Sequence, residues 1–179
     1  MNRYSFLVLS SLFLAAPAHA DGVLVGHPVD FRIASGTGIV FDTLAVTVDT
    51  MTVDFCGTTD VTYDVGATFD IDDPILLPVG EICGISLALT GTTDITGHGT
   101  GGGTFALALA LAVIQIPVYP SITVTSTSSD GYAIELATPD WVTATDLELA
   151  TNVHRTVTSA SSIHPSLRAS VRDDSTILQ

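Results

Sequence analysis

Three aspartates within four residues are the strongest candidate for metal binding in this sequence. Asp70, Asp72 and Asp73 bring three carboxylates together, and proteins bind Ca²⁺ through several carboxylate and carbonyl oxygens. A loop-bound calcium ion at these residues is therefore a candidate cofactor, and no other cofactor is predicted. The alternative interpretation is an acidic strand end without any cofactor, which is exposed to solvent and discourages pairing with another strand.

The spacing of the histidines does not assemble a catalytic or transition-metal site. Beyond residue 20 they are His27, His98, His154 and His164, and no two of them are two or four residues apart, as ligands on one strand or helix would be. The glycine-rich run 97–103 has no Gly-x-Ser-x-Gly motif to accompany it, so it predicts a hairpin loop. We therefore predict no catalytic residue, since a hydrolase would need His98 or His154 to contact both a carboxylate and a hydroxyl.

The charge composition excludes several classes of function. The chain has five basic residues, all of them arginine, against 19 acidic ones, and its formal net charge is −14. A Walker-type phosphate loop and a pyridoxal-phosphate enzyme both need a lysine. Nucleic acids and anionic membranes repel such a chain. The acidic surface also fits a saline habitat, where repulsion between carboxylates is screened.

The first 20 residues have the pattern of an export signal. Arg3 precedes an apolar stretch over 6–16, and the small-residue motif at 18–20 predicts cleavage before Asp21. The apolar stretch is too short to span a bilayer as a helix. The processed chain is therefore predicted to be secreted or periplasmic and not to span a membrane.

Two cysteines, Cys56 and Cys83, are predicted to form a disulfide, because an exported chain folds in an oxidising compartment. A metal site made from these thiolates would need a second close pair such as Cys-x-x-Cys, which the sequence lacks. Cys83 shares an alternating pattern with Ile85 and Leu87. Its side chain is therefore expected to face inward.

Alternating apolar and polar residues predict an all-β fold. Short strands bounded by turn residues follow one another along the chain, and no long amphipathic helix is visible. This pattern is typical of an antiparallel β-sandwich of the Ig-like or Greek-key type, here over residues 21–150 and with one disulfide. Between Val48 and Met51 the apolar positions move from even to odd numbers, which predicts a β-bulge or a tight turn near Asp49 and Thr50.

The second half of the chain combines patterns that favour different secondary structures. The stretch 105–116 is rich in leucine and alanine, which favour helix, but its two-residue alternation favours a strand. A hairpin is predicted next, with Ile122 on one arm, Ile134 on the other and a turn at 130–131. Residues 151–179 form a polar tail that contains three arginines, and we expect a last strand, a short helix or a mobile end there.

The segment 77–83 carries a resemblance to a known family. Its sequence, Leu-Pro-Val-Gly-Glu-Ile-Cys, and the alternating leucines after it resemble the Leu-Pro-x-Gly-x-Tyr-Cys strand entry of uncharacterised exported bacterial β-sandwich domains of the carboxypeptidase-regulatory-like kind. Ile82 stands where that motif has tyrosine, and the resemblance covers residues 41–89. It implies a β-sandwich in a bacterial cell envelope and transfers no catalytic residue.

These patterns favour a secreted or periplasmic, non-enzymatic β-sandwich that acts as a structural or interaction module of the cell envelope. Its partner is expected to be a protein or polysaccharide of the cell surface, and the sequence does not identify the residues that bind it. The alternative hypothesis is a calcium-dependent ligand- or carbohydrate-binding domain that uses the aspartates between Asp70 and Asp73.

Overall fold

The computed structural model describes residues 26–127 and 132–178. Within them the chain forms strands and one short helix, so the predicted all-β fold is confirmed. The predicted leader over 1–20 and the predicted turn at 130–131 lie outside the described residues. In chain order, the elements are β1 (Gly26–Ile33), β2 (Ile39–Phe55), β3 (Val61–Phe69), β4 (Pro74–Pro78), β5 (Gly80–Leu89), β6 (Thr93–Gly99), β7 (Thr104–Leu109), β8 (Val113–Val124), β9 (Ala133–Leu136), β10 (His154–Val157), α1 (His164–Asp173) and β11 (Thr176–Leu178).

The large sheet is built around β2, which is 17 residues long. The first part of β2, 39–45, pairs with β6, and the second part, 48–55, pairs with β5. Only residues 90–92 separate β5 from β6, and the backbone N–H of Thr90 donates to the carbonyl of Thr47. The two strands therefore follow one side of β2 in succession. β8 pairs with β5, and β7 pairs with β6. β3 pairs with β2 on its other side, and β10 pairs with β7.

A break in the strand pairing, close to where β5 ends and β6 begins, divides the large sheet into two halves. In β2, Asp49 is an extra residue relative to β5, since Val48 pairs with Leu89 and Thr50 with Ala88. Of the β-bulge and the tight turn predicted as alternatives near Asp49 and Thr50, the structure has the bulge, which keeps the apolar residues before and after it on the inner face. We name the two parts the disulfide half, formed by β3, β5, β8 and the end of β2, and the histidine half, formed by β6, β7, β10 and the start of β2.

The small sheet, with strand order β11-β9-β1-β4, corrects one prediction. β9 pairs with β1 and β11, so the hairpin predicted to join Ile122 to Ile134 is wrong, because β8 and β9 belong to different sheets. The β1–β9 and β7–β10 pairs are parallel, and the other pairs in the described residues are antiparallel, as predicted. Side chains alternate in both kinds of strand, and the sequence pattern therefore did not distinguish them.

The inner faces of the two sheets share one apolar core. Phe31 of β1 stacks on Phe69 of β3 with ring centroids 5.8 Å apart, and Leu44 and Met51 of β2 are fully buried. The stretch 105–116 supplies buried leucines and isoleucines from β7 and β8. It forms strands, as its periodicity predicted, because burial on one face overrides the helix propensity of leucine and alanine.

Residues 154–178 contribute to both sheets. β10 lies along β7, β11 lies along β9, and α1 packs on β7 and β8. α1 buries Leu167 and Val171, and it begins at His164, whose Nε2 atom is buried without a hydrogen-bond partner among the described residues. A buried polar atom in that state costs about 1–3 kcal/mol. His164 Nε2 therefore adds no stabilising hydrogen bond, and the apolar contacts of Leu167 and Val171 hold α1 against the sheet.

The predicted disulfide between Cys56 and Cys83 is confirmed. It joins the residue after β2 to β5 with the two Cα atoms 5.2 Å apart, and the backbone N–H of Cys56 donates to the Glu81 carbonyl. Cys83 is only half-buried, so the inward orientation expected from its alternation is wrong. The physical reason is a bulge in the pairing with β2: Asp54 pairs with Gly84 and Phe55 with Ile82, so Cys83 is an extra residue that shifts the phase of β5.

Replacing both cysteines, as Cys56→Ala with Cys83→Ala, should lower the free energy of unfolding by ~3–4 kcal/mol, because the bridge restricts the unfolded chain. Urea unfolding of the double variant and of the oxidised protein measures the difference. Val79→Ala, at an exposed position between the two cysteines, is the control and should change the stability by less than ~0.5 kcal/mol. Equal stability of the oxidised protein and the double variant would contradict this role of the bridge.

Candidate functional site

The three predicted calcium ligands lie on a tight turn between β3 and β4, where the two sheets meet. The backbone N–H of Asp72 donates to the Phe31 carbonyl over 2.8 Å, and the N–H of Phe31 donates to the Asp73 carbonyl over 3.0 Å. Phe31 belongs to β1 in the small sheet. The turn 70–73, called the acidic loop below, therefore ties the large sheet to the small one.

Each carboxylate of the acidic loop has a partner in the protein. Asp70 Oδ1 accepts from the N–H of Leu44 over 2.7 Å, and Asp73 Oδ2 accepts from the N–H of Asp70 over the same distance. Asp72 Oδ1 lies 3.5 Å from Nε of Arg32, and Asp72 has a φ of 64°, which aspartate tolerates better than most residues. The carboxylates therefore stabilise the turn itself.

Calcium at the acidic loop stays a prediction. Within residues 26–127 and 132–178, no group of three or more His, Cys, Asp and Glu side chains lies close enough together to hold a metal ion. Each carboxylate still has a second oxygen, and loop carbonyls commonly complete the shell of a calcium ion. A bound ion would compete with the backbone N–H groups that Asp70 and Asp73 now accept from.

A row of polar side chains crosses the outer face of the histidine half. His98 on β6 pairs in register with Thr104 on β7, and Thr104 pairs with His154 on β10. Nδ1 of His98 lies 3.0 Å from both carboxylate oxygens of Asp42. Nδ1 of His154 lies 2.8 Å from the Thr104 hydroxyl. Strand pairing thus places two histidines that are far apart in the sequence in one cross-strand row, with Thr104 between them.

The row does not assemble the triad that a hydrolase would need. Among the contacts of the described residues, His98 has a carboxylate but no hydroxyl, and His154 has hydroxyls but no carboxylate. β2 and β7 flank β6 on opposite sides, so the bond to Asp42 on β2 turns the His98 ring away from His154. Residues 97–99 end β6, and residues 100–103 connect it to β7. The glycine-rich run therefore forms the predicted hairpin loop.

A groove of about 490 Å³ lies on the outer face of the disulfide half. Thr52, Ser86 and Gln115, from β2, β5 and β8, form one cross-strand row in it, and Gln115 Nε2 donates to Ser86 Oγ over 3.0 Å. The next cross-strand row consists of Asp54, Gly84 and Pro117. Hydroxyl, amide, carboxylate and apolar surfaces therefore meet in one concave site.

Two further carboxylates line the groove, those of Asp60 and Asp173. Asp60 follows the disulfide in the chain, and Asp173 ends α1. Nε and Nη2 of Arg172 donate to the Asp173 carboxylate over 2.7 and 2.6 Å, and this hydrogen bonding lowers the pKa of the Asp173 carboxyl. No Lys, Arg or His side chain is among the described residues that line the groove. Because Arg172 balances the charge of Asp173, the anionic character of the border comes from Asp54 and Asp60.

The sequence did not predict this groove, because its lining comes from three strands whose register depends on bulges. Ser86 was visible only as the centre of an incomplete Gly-x-Ser-x-Gly pattern. The one local signal was Gly84, an isolated glycine within the alternating residues of β5. Such a glycine often marks close approach of another group to the backbone.

Asp70→Ala should lower the free energy of unfolding by ~1–3 kcal/mol, because the N–H of the fully buried Leu44 loses its acceptor. Asp64→Ala, at an exposed position of β3, is the matched control and should change stability by less than ~0.5 kcal/mol. Urea unfolding of both variants measures the two effects. Equal losses would mean that Asp70 contributes only its charge and no specific hydrogen bond.

Comparisons of this chain with protein-family models, with curated proteins and with solved structures found no match. Within the described ranges, no helix has the length and apolar character needed to cross a membrane. The geometry of the fold and of its outer face is therefore the basis of the functional proposal.

Proposed function

We propose that this protein is a secreted or periplasmic, non-enzymatic β-sandwich that acts as a structural or interaction module of the cell envelope. The observation that supports this proposal is the open outer face of the large sheet. Thr43, Asp94, Thr104 and Gln115 on that face are exposed in the described part of the chain. The inner face packs into the core, so the outer face is the broad surface available to a partner.

The outer face is ordered by hydroxyl pairs across neighbouring strands. The pairs and their oxygen–oxygen distances are Thr43–Thr96 at 2.7 Å, Thr47–Thr68 at 2.8 Å and Thr52–Thr62 at 2.9 Å. Threonine is also stiff at χ1, because its β-carbon is branched. A partner therefore meets side chains that lose little conformational entropy on binding, and such preorganisation favours affinity.

Two properties of the chain support an envelope setting. The disulfide between Cys56 and Cys83 suits an oxidising compartment outside the cytoplasm. The net charge of −14 favours solubility and disfavours nucleic acid as a partner. A protein or polysaccharide of the cell surface is the partner that we propose.

Expression of the full chain in a Gram-negative host should release a processed protein into the periplasmic fraction, with Asp21 as its first residue because cleavage follows the motif at 18–20. The purified product should then sediment with isolated cell envelopes in a saturable way. Envelopes treated with protease or with lysozyme distinguish a protein partner from a polysaccharide. Retention in the cytoplasm, or no sedimentation with any envelope, would reject the proposal.

Calcium-dependent ligand or carbohydrate binding at the acidic loop is a second candidate, which the grouping of Asp70, Asp72 and Asp73 on one turn favours. If this second candidate is right, a calcium concentration 100 times the Kd raises the free energy of unfolding by about 2.7 kcal/mol. Thermal melting with calcium, with magnesium and with EDTA measures this, and Asp64→Ala serves as a control that leaves the loop intact. An unchanged Tm at millimolar calcium excludes the second candidate.

A further inference from the structure

Gly84 is a glycine that neither the backbone nor the packing of β5 requires. A Cβ at this position would find its nearest neighbour, Asp54 Cβ, at 3.6 Å, which is an ordinary contact, and its φ is not in the left-handed region. Other strand glycines differ, since a Cβ at Gly97 would lie 2.3 Å from the Val40 carbonyl oxygen and Gly66 has a φ of 58°. Because glycine inside a strand lowers stability, something other than backbone conformation or packing must explain the glycine at position 84.

The missing side chain leaves the floor of the groove open. Gly84 lies between Asp54 and Pro117 in one cross-strand row, directly beside the row of Thr52, Ser86 and Gln115. The volume of about 490 Å³ is within the range of small-ligand sites, which is roughly 300–1,000 Å³. Any larger residue at position 84 would project into this space.

The lining matches the two kinds of surface that a sugar ring carries. Gly84 and the Pro117 ring offer a low, apolar floor for the C–H face of a pyranose. Around it, the Ser86 hydroxyl and the Gln115 amide can donate and accept hydrogen bonds, and the Asp54 carboxylate can accept from neighbouring hydroxyls. The carboxylates would repel a phosphorylated or carboxylated ligand, and the combination of an apolar floor with hydroxyl and amide groups suits the hydroxyls of an uncharged sugar.

We propose that this groove binds a neutral saccharide unit of a cell-surface polysaccharide, without calcium. The proposal rests on the envelope function proposed above and names its partner class and its contact site. The site is separate from the acidic loop, because none of the residues of that loop lines the groove.

The decisive variant is Gly84→Val. Valine suits a strand and its Cβ meets no close contact at this position, so the variant should fold and its Tm should rise by about 2–4 °C. Gly101→Val is the matched control, since a Cβ at Gly101 has no neighbour within 4 Å and Gly101 lies in the loop of the histidine half. If Gly84→Val loses binding and Gly101→Val retains it, the loss is caused by the valine side chain that fills the groove.

The probes are maltohexaose, cellohexaose, xylohexaose and chitohexaose, titrated in the presence of EDTA and followed by amide NMR shifts. At least one should shift the backbone signals of Gly84 and Ser86 and the side-chain amide of Gln115. Gly84→Val should weaken that binding at least tenfold, and Gly101→Val should leave it unchanged. No shift with any probe, shifts outside the groove, or equal binding by Gly84→Val would overturn the proposal.

Sedimentation with cell envelopes separates this proposal from the more general one. If Gly84→Val sediments as the unmodified protein does, the saccharide site is wrong and the envelope function stands. If the unmodified protein does not sediment at all, the envelope function fails first. Binding that protease treatment of the envelopes abolishes would favour a protein partner and overturn the saccharide assignment.

Discussion

β2 pairs with β3, β5 and β6, and extra residues along it decide which way its side chains face. Asp49 is the bulged residue relative to β5, and the apolar positions before and after it all reach the same core. Without the bulge, the second part of β2 would present Met51 and Val53 to solvent and its threonines to the core. The continuous inner face, and therefore the open outer face with its groove, depends on this insertion and on a second one at Asp42, in the pairing of β2 with β6.

The edges of both sheets disfavour the addition of another strand. β4 begins with Pro74 and ends with Pro78, and β10 and β11 have only four and three residues. β8 contains Pro117 and Pro120, and β3 is interrupted at Gly66 by a positive φ. Prolines, short length and bulges all hinder edge-to-edge pairing. A partner is therefore expected on the face of the large sheet, where hydrogen bonding between backbones plays no part.

The features that the sequence predicted correctly are those that a local pattern encodes. Alternation gave the strands, its change of phase gave the bulge at Asp49, and an even cysteine count gave the bridge between Cys56 and Cys83. Alternation specifies the face of a side chain but not its neighbouring strand, so the parallel pairing of β1 with β9 was missed. The contact of Asp42 with His98 and the lining around Gly84 depend on the same unspecified pairings.

The distribution of charge on the large sheet determines what kind of contact its outer face can make. Like charges directly opposite each other on neighbouring strands are destabilising, and here the paired positions carry threonines. Carboxylates are found where pairing is irregular or ends: Asp42 and Asp49 at bulges, Asp54 beside the irregularity before Phe55, Asp60 in the connection between β2 and β3, and Asp94 near the start of β6. Away from these carboxylates, the threonine hydroxyls of the face offer neutral hydrogen bonds to a partner. Salt screens long-range attraction between charges but has little effect on such bonds, so recognition by this face would persist at high ionic strength.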